Sequence, residues 1–134
     1  MTTSRLANYP YSMTDREQQN ISQTIDYSQI DSIPEIWAIV AAKCGEIVAL
    51  NAPHSNPALG LTYTEVATQI QLFAAGLQSL GIVPYAAVAL FADNSPRWLI
   101  ADQGIMLMGA FNAVRSSQAD PLELLAILDN SQAK

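Results

Sequence analysis

A chain of 134 residues, half of them hydrophobic and only 13% charged, suits one domain and carries more apolar surface than so small a body readily hides. Twelve acidic against six basic side chains leave a net charge of −6 with no cluster of Lys or Arg. That argues against nucleic-acid binding and against attraction to anionic lipid, both of which need an electropositive footprint.

Residues 1–24 are polar, offer little to bury, and are expected to form a flexible arm. They hold no apolar core of signal-peptide length. The longest apolar stretch, Ile105 to Ala113, is broken by Gly109 and Asn112 and is too short to span a bilayer. Structure is expected from about Asp31. Ser32 can cap a helix with Pro34 in its first turn and Glu35 completing a capping box. Ile36, Trp37, Ile39, Val40 and Ala41 give that helix a broad apolar face, and Gly45 stands where a C-terminal cap belongs.

Glu46 to Leu50 reads as a strand and Asn51 to Pro57 as a loop. Leu61 to Tyr63 can pair with that strand as a hairpin. Thr62 and Glu65 form a second capping box, followed by Val66, Ile70, Phe73, Ala74, Leu77 and Leu80 at helical spacing until Gly81. Tyr85 to Phe91 is β-rich, and its continuous apolar run Ala87–Phe91 suits a strand covered on both faces of a parallel sheet. Asp93 and Asn94 turn the chain, Ser95 caps the next helix and Pro96 opens it. From Trp98 to Met108 that helix is apolar well beyond one stripe, so its cover is expected to come from outside these residues. Ala110 to Val114 reads as a strand. Asp120-Pro121 opens a last helix with Leu124, Leu125, Ile127 and Leu128 on its buried side. Strands alternating with helices from residue 86 onward imply an α/β fold with parallel-sheet βαβ units, the hairpin adding strands at an edge.

Candidate chemistry is sparse. The turn Asp93-Asn94-Ser95-Pro96-Arg97 follows a parallel strand, where α/β folds place ligands, and Arg97 could meet a phosphate. Yet Pro96 lacks an N–H, Asp93 repels anions and no glycine lets a phosphate reach the backbone, so a capped structural turn is the reading. The glycines at 45, 60, 76, 81, 104 and 109 form neither a dinucleotide fingerprint nor a P-loop. Ser95, Ser116 and Ser117 have no histidine in sequence reach, and His54 sits alone in its loop as a solvated side chain. Asp93 and Asp102 are read as capping and solvating one helix. Arg115 is read as an ion-pair partner of Asp93 or Asp120. Trp98, Met106 and Met108 could border an acyl groove but suit core filling better. Cys44, alone, is a small apolar filler near a helix end. No catalytic, cofactor-binding or metal-binding residue is assigned: these residues read as a scaffold.

Several segments together resemble the opening region of the adenylate-forming (AMP-binding) ligase superfamily. They are similar above all to long-chain fatty-acid synthetases of cyanobacterial type, which load acyl-carrier protein or coenzyme A. The resemblance rests on Ile25 to Trp37, Leu61-Thr-Tyr-Thr-Glu65, Phe73-Ala-Ala-Gly-Leu77, Val88 to Trp98, Ala101-Asp-Gln-Gly104, Ala113-Val-Arg-Ser-Ser-Gln-Ala-Asp120 and Glu123-Leu-Leu125. It covers residues 25–134. Phe91-Ala-Asp-Asn-Ser-Pro-Arg-Trp98 and Arg115-Ser-Ser-Gln-Ala-Asp120 are its most specific strings, whereas Thr-Tyr-x-Glu is common across the superfamily. Tyr85-Ala-Ala87 departs from the charged residues usual in relatives.

The resemblance implies an incomplete N-terminal domain of an enzyme that forms an acyl-adenylate from a fatty acid and ATP, with Mg²⁺, and then a thioester. A cytoplasmic location goes with it, peripheral membrane contact of the full-length protein being left open. The family's phosphate loop, adenine-binding and hinge motifs and catalytic lysine match nothing here, so the chain by itself is expected to be inactive, with the rest of the parent enzyme as its partner. The alternative is a non-catalytic α/β module that binds a protein through its apolar faces. A dinucleotide-binding oxidoreductase is disfavoured by the glycine pattern.

Overall fold

The computed structural model describes residues 14–15 and 25–134. The arm expected over residues 1–24 therefore lies, apart from Thr14 and Asp15, outside the described residues. The elements are α1 (Glu35–Cys44), β1 (Val48–Ala52), β2 (Leu59–Thr62), α2 (Tyr63–Ser79), β3 (Ala87–Phe91), α3 (Pro96–Leu107), β4 (Phe111–Arg115) and α4 (Pro121–Ser131).

The capping box expected at α1 forms only in part. Ser32 Oγ donates to Glu35 Oε1 at 2.7 Å. No side chain caps the helix, however, and Pro34 occupies the cap position after a tight turn in which the Glu35 N–H donates to the Ser32 carbonyl. Gly45 does follow α1, but with helical φ −53°. Glycine is needed there for space: an added Cβ would lie 2.4 Å from Thr64 Oγ1 and 2.5 Å from the Ala41 carbonyl oxygen. This crowding reflects α2 being tied to the α1–β1 turn, the Thr64 and Tyr63 N–H groups donating to the Gly45 and Ile47 carbonyls at 3.1 and 3.0 Å. The Ile47 N–H donates to the Cys44 carbonyl at 3.0 Å, so Glu46 and Ile47 still belong to the turn after α1 and β1 begins two residues later than its sequence suggests.

β1 and β2 pair antiparallel, and they form a sheet of their own rather than an edge of the parallel one. The hairpin joins the molecule through side chains instead: Leu61, Val66, Ile70 and Ile100 make a shared core against which Trp37, Leu50 and Leu59 pack. Val66 and Ile70 are wholly buried, as the periodicity of α2 requires, but Leu80 at the end of that pattern is 80% exposed. The helix stops at Ser79, and Gly81, at φ +82°, takes the left-handed turn that leads the chain away. The Thr62–Glu65 capping box is complete: Thr62 Oγ1 accepts from the Glu65 N–H at 3.3 Å and Glu65 Oε2 accepts from the Thr62 N–H at 2.8 Å.

β3 and β4 pair in parallel from Ala87↔Phe111 to Phe91↔Arg115, with α3 as the crossover. Val88, Ile105 and Ala110 form the core between strand and helix. The double coverage expected of β3 is reached at Val88 alone, its other residues being half-buried. Alternate carbonyls of a strand face opposite edges. The Ala86 carbonyl accepts from Phe111 on the β4 side, while the Ala87 carbonyl and Ala89 N–H pair with the backbone of Lys134 on the other. The crossover after β3 thus moves one way and the crossover after β4 returns to the far side of β3.

Cover differs from expectation at two helices. α3 is expected to present bare apolar surface, yet Ile100, Ala101, Gln103, Gly104 and Ile105 are buried, because α2 closes over one face and the parallel strands over another. α4 does turn Leu124, Ile127 and Leu128 inward, but only to half-burial, and Leu125, expected beside them, is 61% exposed.

Candidate site at the carboxyl ends of the parallel strands

A strand flanked by crossovers of opposite direction opens a crevice at its carboxyl end, the usual ligand position of open α/β sheets. A cavity of about 340 Å³ lies there, lined by Ala92, Asp93, Asn94, Trp98, Val114, Arg115 and Ser116. Local sequence builds it. Ser95 Oγ accepts the Trp98 N–H at 3.1 Å and Pro96 opens α3, so the chain leaves β3 in a fixed turn that sets Trp98 against the strand ends. Across the cavity, β4 ends at Arg115 and the following turn carries Ser116 and Ser117.

The charges here satisfy one another. Ser116 Oγ and Ser117 Oγ both donate to Asp93 Oδ1, at 3.1 and 3.2 Å, latching the β4–α4 turn to the β3–α3 turn. Arg115 does not reach Asp93 or Asp120, as its position had suggested. It donates from Nε to Glu123 Oε1 at 2.6 Å and from its Nη2 atom to Glu123 Oε2 at 3.3 Å, and this partner raises its already high pKa. Glu123 is placed where a capping glutamate would turn back on its own helix. Instead the helix is capped by Asp120 alone, whose carboxylate accepts the Leu122 N–H at 2.8 Å.

Such a site poorly fits a nucleotide phosphate. The hydroxyl donors are spent on Asp93 and the guanidinium of Arg115 on Glu123. The Trp98 N–H is spent on Ser95, Pro96 has no N–H, and Asp93 adds negative charge. Neither Ser116 nor Ser117 has an imidazole to activate it, since His54 is exposed in the loop beyond β1. No group of three potential metal ligands occurs among the described residues.

A second polar chain runs through the interior. The Trp37 indole N–H donates to Gln103 Oε1 at 2.9 Å, Gln103 Nε2 donates to Asp102 Oδ2 at 3.0 Å, and Asn112 Nδ2 donates to both the backbone carbonyl and the carboxylate of Asp102. Asp102 therefore ties α1 to β4 through α3, a different role from the solvated end charge its sequence position suggested. Its signal was an acid set within a helix otherwise apolar on most sides. Cys44 packs with Val40 and Ile47 as a buried free thiol. Trp98 borders the cavity, whereas Met108 packs against the core beneath β3.

Residues 37–134 match the AMP-binding enzyme family. The chain belongs to that family. It is 46% identical over 106 residues to the chloroplastic long-chain-fatty-acid–[acyl-carrier-protein] ligase AEE15 of Arabidopsis thaliana, covering 79% of this chain and 15% of that protein. It is 43% identical over 102 residues to the probable chloroplastic acyl-activating enzyme 16 of the same plant, covering 76% and 14%. The chain thus spans about one-seventh of the length of these curated relatives. Among solved structures, its fold matches the inhibitor-bound N-terminal domain of FACL13 from Mycobacterium tuberculosis (TM-score 0.73, 23% identity, 78% of this chain and 26% of that one). It also matches the Klebsiella oxytoca NpsA N-terminal subdomain in complex with anthranilyl-AMSN (TM-score 0.70, 25% identity, 78% and 27%). Family and fold agree: the described residues form part of the N-terminal domain of an adenylate-forming enzyme. No helix among them is long and apolar enough to cross a membrane.

Proposed function

We propose that these residues are framework for an ATP- and Mg²⁺-dependent long-chain fatty-acid ligase, which activates a fatty acid as its adenylate and passes the acyl group to the thiol of acyl-carrier protein or coenzyme A. A cytoplasmic location goes with this reading. The observation that carries it is the 46% identity to the Arabidopsis long-chain-fatty-acid–[acyl-carrier-protein] ligase together with the family match over residues 37–134. Within that enzyme the contribution of these residues is positional. The Asp93–Ser116–Ser117 latch and the Arg115–Glu123 pair fix the two turns at the carboxyl ends of β3 and β4. Their donors are already paired, so the phosphate-binding and proton-transfer groups belong to other parts of the enzyme, and the 134 residues by themselves are inactive.

Fatty-acid-dependent exchange of pyrophosphate into ATP tests both halves. The chain alone should give no exchange above a heat-killed control. A chimaera carrying residues 25–134 in place of the matching region of the Arabidopsis ligase should retain exchange with long-chain acids. A folded but inactive chimaera would favour the second reading, a protein-binding module. That reading draws on the exposure of Phe111 (59%), Leu122 (76%) and Leu125 (61%) on β4 and α4.

A further inference from the structure

We draw no further inference here: the strongest candidate, the open groove between α2 and α3 lined by Gln69, Leu72, Phe73, Arg97 and Ile100, is an exposed, mainly apolar face, and nothing in the structure shows what covers it.

Discussion

α3 and α4 begin alike and end differently. Each starts with a polar cap and a proline: Ser95 accepts the Trp98 N–H, Asp120 accepts the Leu122 N–H, and Pro96 and Pro121 hold the first positions. Each carries several Leu and Ile residues. Yet α3 buries five residues and α4 none. The difference is what lies on either side. α3 sits between α2 and the two parallel strands, whereas α4 leans on β3 and β4 from one side. Capping fixes where a helix starts, and apolar residues make burial favourable, but only a second neighbouring element turns a stripe into a core.

The sharpest way to break that contrast is truncation of one side chain from each helix. Ile105 is 1% exposed, so Ile105→Ala should lower the unfolding free energy by about 2–5 kcal/mol, because it loses both transfer energy and packing around the cavity it leaves. Leu125→Ala, at a residue 61% exposed, should change it by less than about 0.5 kcal/mol. Urea unfolding of the 134-residue chain measures both. Comparable losses would mean that α4 is covered in solution, and the distinction drawn between the helices would fall.

Two glycines sharpen the same point with opposite signs. Gly76 lies in α2 with nothing within 4 Å of an added Cβ, so Gly76→Ala should stabilise the chain by about 0.5–1 kcal/mol through helix propensity alone. Gly104→Ala gains the same propensity but forces a methyl against the Phe73 ring and the Ile70 carbonyl, at 2.7 and 3.1 Å. The ring can move and the carbonyl cannot, so overpacking of about 1–3 kcal/mol should prevail and leave a net loss. Thermal unfolding that shows both variants stabilised would mean that α2 and α3 are less closely packed than described.

How much of this was legible beforehand follows from the range of the forces involved. Local signals worked: the Thr62–Glu65 box, the Ser95-Pro96 and Asp120-Pro121 starts, and the parallel order of β3 and β4 all depend on residues close in sequence or on one repeating period. The hairpin is legible as a pair but starts later than its sequence suggests, because the turn after α1, closed by the Ile47 N–H on the Cys44 carbonyl, takes up Glu46 and Ile47. Arg115 is read from sequence as the partner of Asp93 or Asp120, and only the path of the first turn of α4 brings Glu123 to it instead. The site was legible as a turn after a parallel strand. Its latch was not, since Asp93 and the serines that bond it are more than twenty residues apart. Membership of the AMP-binding enzyme family, by contrast, is signalled most specifically by the strings Phe91–Trp98 and Arg115–Asp120, which packing alone would not have interpreted.

The smallest effect lies in the cored half of the molecule, at the start of α2, and it is one of pH. The Glu65 carboxyl is held below its usual range, first by the Thr62 N–H and then by the Thr62 hydroxyl, whose Oγ1 lies 3.0 Å from Glu65 Oε2. A carboxyl whose pKa is lower folded than unfolded adds stability that is fully present above the unfolded value of 4.5 and is lost as pH falls through the folded value. Glu65→Gln keeps an acceptor for the Thr62 N–H but removes the titration. The wild-type chain should therefore lose melting temperature faster than Glu65→Gln as pH drops below about 4.5, with a constant gap between the two above it. Glu35, lowered by Ser32, titrates in both proteins and cancels from the difference. Parallel melting curves across that window would mean that the capping box is not charged as drawn. The gap at neutral pH would then measure only the exchange of one acceptor for another.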